Sequence, residues 1–176
     1  MLKTRNLLVA ILFCLLMVPA GAHPKERTVY QSIDEIIEGL DTLIPKDTIR
    51  AIAWQESGWQ QFDSEGGPSN DGQDWGVMRV NECTVQGNPA YSLKKAKWDT
   101  EYNVRLGVDI LEDKMSWIRH LRRRKDWAKM RHKYRLWGAN NLEMAIRAYN
   151  GITRSTEYLQ TIKKIQEEKP WKKYVK

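Results

Sequence analysis

Cysteine, histidine and phenylalanine are scarce: two, three and two in 176 residues. Cys14 lies inside an N-terminal apolar run. With that run set aside Cys83 stands alone, so no internal disulfide can form and stability must come from packing. Cys83 is then expected as a small buried hydrophobe. No His-Glu-x-x-His pattern or Cys pair offers metal-ligand spacing, so no metal and no cofactor are expected. Six Pro and 11 Gly, without any repeat, exclude a collagen-like or low-complexity chain. Beyond residue 18 no apolar run is long enough to cross a bilayer.

Large rings and charge are abundant. Eight Trp and seven Tyr supply apolar area that a disordered chain lacks. The chain holds 29 Lys+Arg against 22 Asp+Glu, a net charge of +7. Its length fits one domain with one core.

Residues 1–22 read as an export signal. Lys3 and Arg5 precede an apolar run from Leu7 to Val18, Pro19 ends it, and Ala20-Gly21-Ala22 fits a small-x-small cleavage site after Ala22. An uncleaved anchor is the alternative, disfavoured because a span needs about 20 apolar residues. The expected location is the periplasm or the extracellular cell-wall space. Removal leaves 154 residues with 27 Lys+Arg against 22 Asp+Glu, an excess of +5. Residues 23–29 follow as an N-terminal segment, 30–169 as the domain, and 170–176 as a frayed basic tail.

The domain reads as mainly α, a single helical unit with one irregular or hairpin lobe. Ile33, Ile36, Ile37, Leu40, Leu43 and Ile44 recur at helical spacing up to Pro45. A second helix, capped by Asp47, runs through Ile49, Ile52, Ala53 and Glu56 to Gly58. Residues 62–76 are dense in turn formers and read as a long functional loop, with room for a hairpin. Helical spacing returns over Thr100–Lys125, from Trp127 onward, from Asn141 to Asn150-Gly151, and from Arg154 to Lys169.

Glu56 falls three, four and seven residues after Ala53, Ile52 and Ile49, on the apolar face. A carboxyl there is desolvated, its pKa rises, and the protonated form can serve as a general acid. The alternative is a last-turn Glu bent out to solvent or paired with a base, and spacing alone favours that alternative.

The surrounding residues reverse the weighting. Trp54-Gln55-Glu56-Ser57-Gly58 precedes Gly76-Val77-Met78-Arg79-Val80-Asn81. Ala148-Tyr149-Asn150-Gly151 comes later, with Tyr158 after it. In order and spacing these resemble the Glu-Ser, Gly-Leu-Met-Gln and Ala-Tyr-Asn motifs of the soluble lytic transglycosylase family, whose fold is like goose-type lysozyme. Asn103, Gly107 and Leu111 resemble the family's intervening helix, and the resemblance spans roughly residues 30–165.

The resemblance implies that Glu56 is the single catalytic acid/base of an enzyme cleaving the β-1,4 bond between N-acetylmuramic acid and N-acetylglucosamine in peptidoglycan strands. Ser57 would support the glycan or the end of the catalytic helix. Val77 and Met78 would line the groove. Tyr149 would hydrogen-bond and orient Glu56, and Asn150 would hold nearby backbone or sugar. Arg79 departs from the family's Gln. It binds a peptide-stem carboxylate or pairs with Asp74 or Glu82. Trp59 and Trp75, near the motifs, are candidate sugar platforms. Two rival readings remain: a hydrolase using Asp71 or Asp74 to position water, and a non-catalytic wall-binding protein of the same fold.

Residues 114–135 carry ten Lys/Arg and one acid, with Trp117, Trp127 and Trp137 interleaved. For an exported chain an anionic wall polymer or membrane surface suits this block better than nucleic acid, which is not expected as a partner. A solvated helix face is an equal alternative, with His120 and His132 as surface members. A monomer is expected.

Overall fold

The computed structural model describes residues 28–138, 140–151 and 155–175. The expected export signal, and all but the end of the N-terminal segment, lie outside them. Helix takes up 62% of the structure, with a small three-stranded sheet beside it, as the mainly α reading requires.

Helix α1 (Val29–Glu38) opens with a capping box, Thr28 and Gln31 each satisfying the other's backbone N–H. It stops at Gly39, well before Pro45, although the apolar spacing runs on. Leu40 and Ile44 still reach the core from the irregular segment that follows, while Leu43 is exposed. The apolar spacing therefore runs past the helix end and does not mark where α1 stops.

Helix α2 (Lys46–Ser57) is the centre of the molecule. Pro45 occupies its N-cap position and Asp47 falls inside the first turn, so Asp47 is not the cap. Six consecutive residues, Thr48 to Ala53, are buried, which only a helix surrounded on all sides can achieve. Arg50 is among them. Its guanidinium meets Asp34 at 2.7 Å, Asp47 at 3.2 Å, and Glu38.

The lobe between 62 and 81 is a meander: β1 (Asn70–Asp71), β2 (Asp74–Trp75) and β3 (Val80–Asn81), antiparallel in that order. Two short helices that carry no periodic signal follow, α3 (Glu82–Gln86) and α4 (Leu93–Trp98), capped by Asn81 and Ser92. On α3 the buried residue is Val85. Cys83, some 200° away on the helical wheel, is exposed, which corrects the expectation of a buried thiol.

Helices α5 (Thr100–Arg122), α6 (Trp127–Lys133), α7 (Asn141–Tyr149) and α8 (Ser155–Glu168) close the domain, α5 packing on α7 and α2 on α8. The basic block covers the end of α5 and all of α6. His120 and His132 are exposed there, and Trp117 and Trp127 are half-buried.

The C-terminal tail is not frayed. Residues Pro170–Lys173 form a 3₁₀ turn that buries Trp171. Trp171 stacks on Trp59 at 6.0 Å, and Tyr174 stacks on Tyr30 at 4.5 Å. This aromatic cluster ties the tail to α1 and to the end of α2.

Candidate active site

Glu56 occupies the last turn of α2. Gly58, at φ +62°, ends the helix, and Trp59 follows at φ +66°. Two successive left-handed residues fold the chain back sharply. Trp59 is driven into the core, where it is fully buried and its ring N–H donates to the Arg50 carbonyl at 3.1 Å. No sugar can reach that ring, so the expected role of Trp59 as a platform is withdrawn.

The segment 76–79 is the opposite wall. Gly76 has φ +74°, and a Cβ on it would lie 2.4 Å from the Asn103 amide nitrogen and 2.5 Å from Gln61 Oε1, so only glycine fits. Those two buried amides hold the turn. Gln61 Oε1 accepts from the Val77 N–H at 3.2 Å, and Asn103 Oδ1 from the Met78 N–H at 2.8 Å. Asn103 Nδ2 donates to the carbonyls of Trp75 and Ala96, each at 2.8 Å. Every polar atom of the Asn103 amide is thereby used.

Val77 and Met78 are themselves fully buried. Met78 packs on Gly107, where any Cβ would fall 2.5 Å from that of Met78. Their side chains face the core and do not line the groove as the resemblance implied. Their carbonyls do the connecting. The Val77 carbonyl accepts from the Ser57 hydroxyl at 2.8 Å, and the Met78 carbonyl from the Tyr149 hydroxyl at 2.8 Å. Of the two roles open to Ser57, the geometry matches the end of the helix.

Tyr149 therefore does not bond Glu56. The hydroxyl that does belongs to Tyr158, which donates to Glu56 Oε1 at 2.5 Å. Tyr158 shares the inner face of α8 with Ile162 and Ile165, at spacings of four and three. That spacing is the sequence signal for it. Burial, with Glu56 nearby, pushes both phenols well above their usual range, so both remain O–H donors.

The cleft at Glu56 has a volume of about 330 Å³ and is lined by Asp74, Arg79, Asn81, Lys114, Tyr149 and Asn150 among others. A larger hollow of about 890 Å³ between α1 and residues 59–64 is mostly apolar and lies apart from these groups. Burial is the main cause that pushes the Glu56 carboxyl up, to about 7. The bond from Tyr158 opposes the rise. Asp74 and Asp71 add to it, and Arg79 draws it down. Near neutrality, then, a substantial share of the protein holds Glu56 as a neutral acid, and the rest as a carboxylate.

Arg79 sits at φ +47° and its Nε donates to the Glu56 carbonyl at 3.2 Å. It forms no ion pair with Asp74 or Glu82. Asp74 accepts from Asn81 Nδ2 at 2.7 Å, and Glu82 is taken by Lys97 and the Trp75 ring N–H. Trp75 is half-buried, with Lys97 Nζ 3.8 Å over its ring. It is not part of the cleft wall. Asp71 is exposed on the hairpin. Gln61 and Lys114 carry no motif signal and appear at the site only through the fold. Among the described residues no cluster of His, Cys, Asp and Glu has the makings of a metal site.

A family model described as the transglycosylase SLT domain matches residues 36–172, more than three-quarters of the chain. Neither the curated proteins nor the solved structures gave a match. Three motifs in order, a lysozyme-like helical fold and a half-buried acid in a cleft agree with the family match, and the chain belongs to the transglycosylase SLT domain family, whose members are lytic transglycosylases acting on peptidoglycan.

Proposed function

We propose that Glu56 alone carries the proton chemistry of cleavage between N-acetylmuramic acid and N-acetylglucosamine. Ordinary glycoside hydrolysis uses two carboxyl groups. One suffices when the nucleophile belongs to the substrate. The Glu56 carboxylic acid protonates the glycosidic oxygen as the bond from the muramyl C1 breaks. The resulting carboxylate takes the proton of the C6 hydroxyl of the same muramyl residue as O6 closes onto C1. The products are a 1,6-anhydromuramyl end and a free N-acetylglucosamine 4-hydroxyl. Glu56 regains its proton and no water is consumed. Holding O6 on the same sugar as C1 replaces a positioned water by proximity.

The observation that carries this reading is one half-buried carboxyl in the cleft, bonded by a tyrosine and joined in no ion pair. A midpoint near 7 suits a group that must give and then take a proton at neutral pH. Tyr158 acts as a positioning residue, since its hydroxyl fixes one carboxyl oxygen and leaves the other for the sugar.

The N-terminal run Leu7–Val18 supports an exported enzyme working in the periplasm or cell-wall space. The basic stretch 114–135 supports contact with an anionic wall polymer or membrane surface. A hydrolytic reading rests on one feature, Asp74 in the same cleft. Digestion of purified peptidoglycan, with mass spectrometry of the fragments, separates the two. Fragments one water lighter than the hydrolytic products are the expected result. Reducing muramyl ends contradict it and point to water held by Asp74 or Asp71.

A further inference from the structure

Two cations in the cleft have no part in the proton chemistry. Arg79 is held by its Nε at the Glu56 carbonyl, and its Nη1 is buried without a hydrogen-bond partner. Lys114 reaches the same cleft from α5, one turn beyond Ile110, and forms no ion pair among the described residues. The carboxylates nearby are otherwise engaged: Asp74 by Asn81, Glu82 by Lys97 and Trp75. With Glu56 in its acid form, Arg79 and Lys114 against Asp74 leave the cleft with one unbalanced positive charge.

A buried guanidinium N–H without an acceptor is costly, and a ligand carboxylate is the acceptor that fits it best, because its two oxygens match the planar fork of donors. Of the two sugars in peptidoglycan only the muramyl residue bears such a group. Its lactyl arm ends either in a free carboxylate or in a stem peptide with carboxylates of its own. N-Acetylglucosamine is neutral.

We propose, resting on the reading of Glu56 above, that Arg79 and Lys114 form a carboxylate subsite for the lactyl arm or stem of the muramyl residue whose C1–O bond is cut. Along a strand the anion recurs at every second sugar. The subsite therefore selects the register that presents a muramyl C1, and not the C1 of N-acetylglucosamine, to Glu56.

The test measures binding by Glu56→Gln protein, so that it does not depend on turnover. Three strands are compared: stem-bearing, stem-free with free lactyl carboxylates, and stem-free with those carboxylates converted to methylamides. The expected result is a Kd about ten- to a hundredfold lower for at least one carboxylate strand than for the methylamide strand, the range of a charge-assisted pair. Preference for the stem-bearing strand assigns the anion to the peptide, and preference for the stem-free acid assigns it to the lactyl arm. Adding Arg79→Gln should erase most of the preference, Lys114→Met a smaller part, and Arg79→Lys should restore some of it. Should Arg79→Gln fail to fold, Lys114→Met carries the test, since that side chain is half-exposed. Equal binding of all three strands, or a preference untouched by both substitutions, overturns the subsite. Wild-type protein that binds with the preference but cuts nothing overturns the role of Glu56 and leaves the subsite standing.

Discussion

Helix α2 carries an inward-facing ionisable side chain near each end, one buried and one half-buried, and the two ends treat it in opposite ways. Arg50 is met by Asp34, Glu38 and Asp47. Burial opposes its charge, but the bonds from Glu38 and Asp34 prevail and hold the guanidinium above its usual range. Glu56, less than two turns on, receives one tyrosine hydroxyl and no ion pair, and burial pushes it toward neutrality. One group is compensated and ties α2 to α1. The other is left uncompensated, which weakens the fold at neutral pH and creates an acid. Compensation is therefore what separates a structural charge from a chemical one here.

The largest expected effect follows from removing the acid. Glu56→Gln should lower release of muropeptides by about 10²- to 10⁴-fold, the usual worth of a general acid–base group, with the fold intact by circular dichroism. Next comes the compensated end. Arg50→Met leaves three carboxylates around a vacated site and should cost about 3–5 kcal/mol in urea denaturation while the cleft keeps its shape. If the loss is no larger than for a surface arginine, the contrast between the two ends fails.

The third effect depends on pH. The folded midpoint of Glu56 is raised from 4.5 to about 7. The stability it contributes is complete below pH 4.5 and lost as pH rises through 7. Wild-type protein should therefore lose on the order of 3 kcal/mol over that window relative to Glu56→Gln, whose amide does not titrate. The two proteins should converge near pH 4 and separate by pH 8. The smallest effect concerns Tyr158. Its bond favours the carboxylate, so Tyr158→Phe should raise the Glu56 midpoint further. The alkaline limb of kcat/KM would then move to higher pH, with a loss of about tenfold in rate from the freed carboxyl. An unmoved limb would make Tyr158 a packing residue only.

Much of this was legible in the chain. The three-, four- and seven-residue offsets placed Glu56 on the buried face, and Gly58 marked the end of its helix. What could not be read depends on contacts between distant segments. Tyr149 lies in the third motif and Tyr158 follows it, and which hydroxyl reaches Glu56 is decided by how α7 and α8 pack. Trp59 looks like a sugar platform beside the Glu-Ser pair until two left-handed residues turn it inward. Val77 and Met78 act through carbonyls, which any residue possesses, so their identity reports core packing, that of Met78 against Gly107. The tail looked polar and frayed because its three lysines outnumber its two rings. One of those rings, Trp171, is the half of a stacked pair whose other half lies 112 residues earlier.

The central claim is that desolvation, with no ion pair to oppose it, raises the Glu56 carboxyl to a midpoint near 7. Carbon-13 NMR titration of the Glu56 carboxyl in the folded protein, assigned by its loss in Glu56→Gln, tests it most directly. A midpoint near 7 is the expected result, rising further in Tyr158→Phe. A midpoint near 4.5 would mean a solvated or ion-paired carboxylate, and the account of the acid would be wrong.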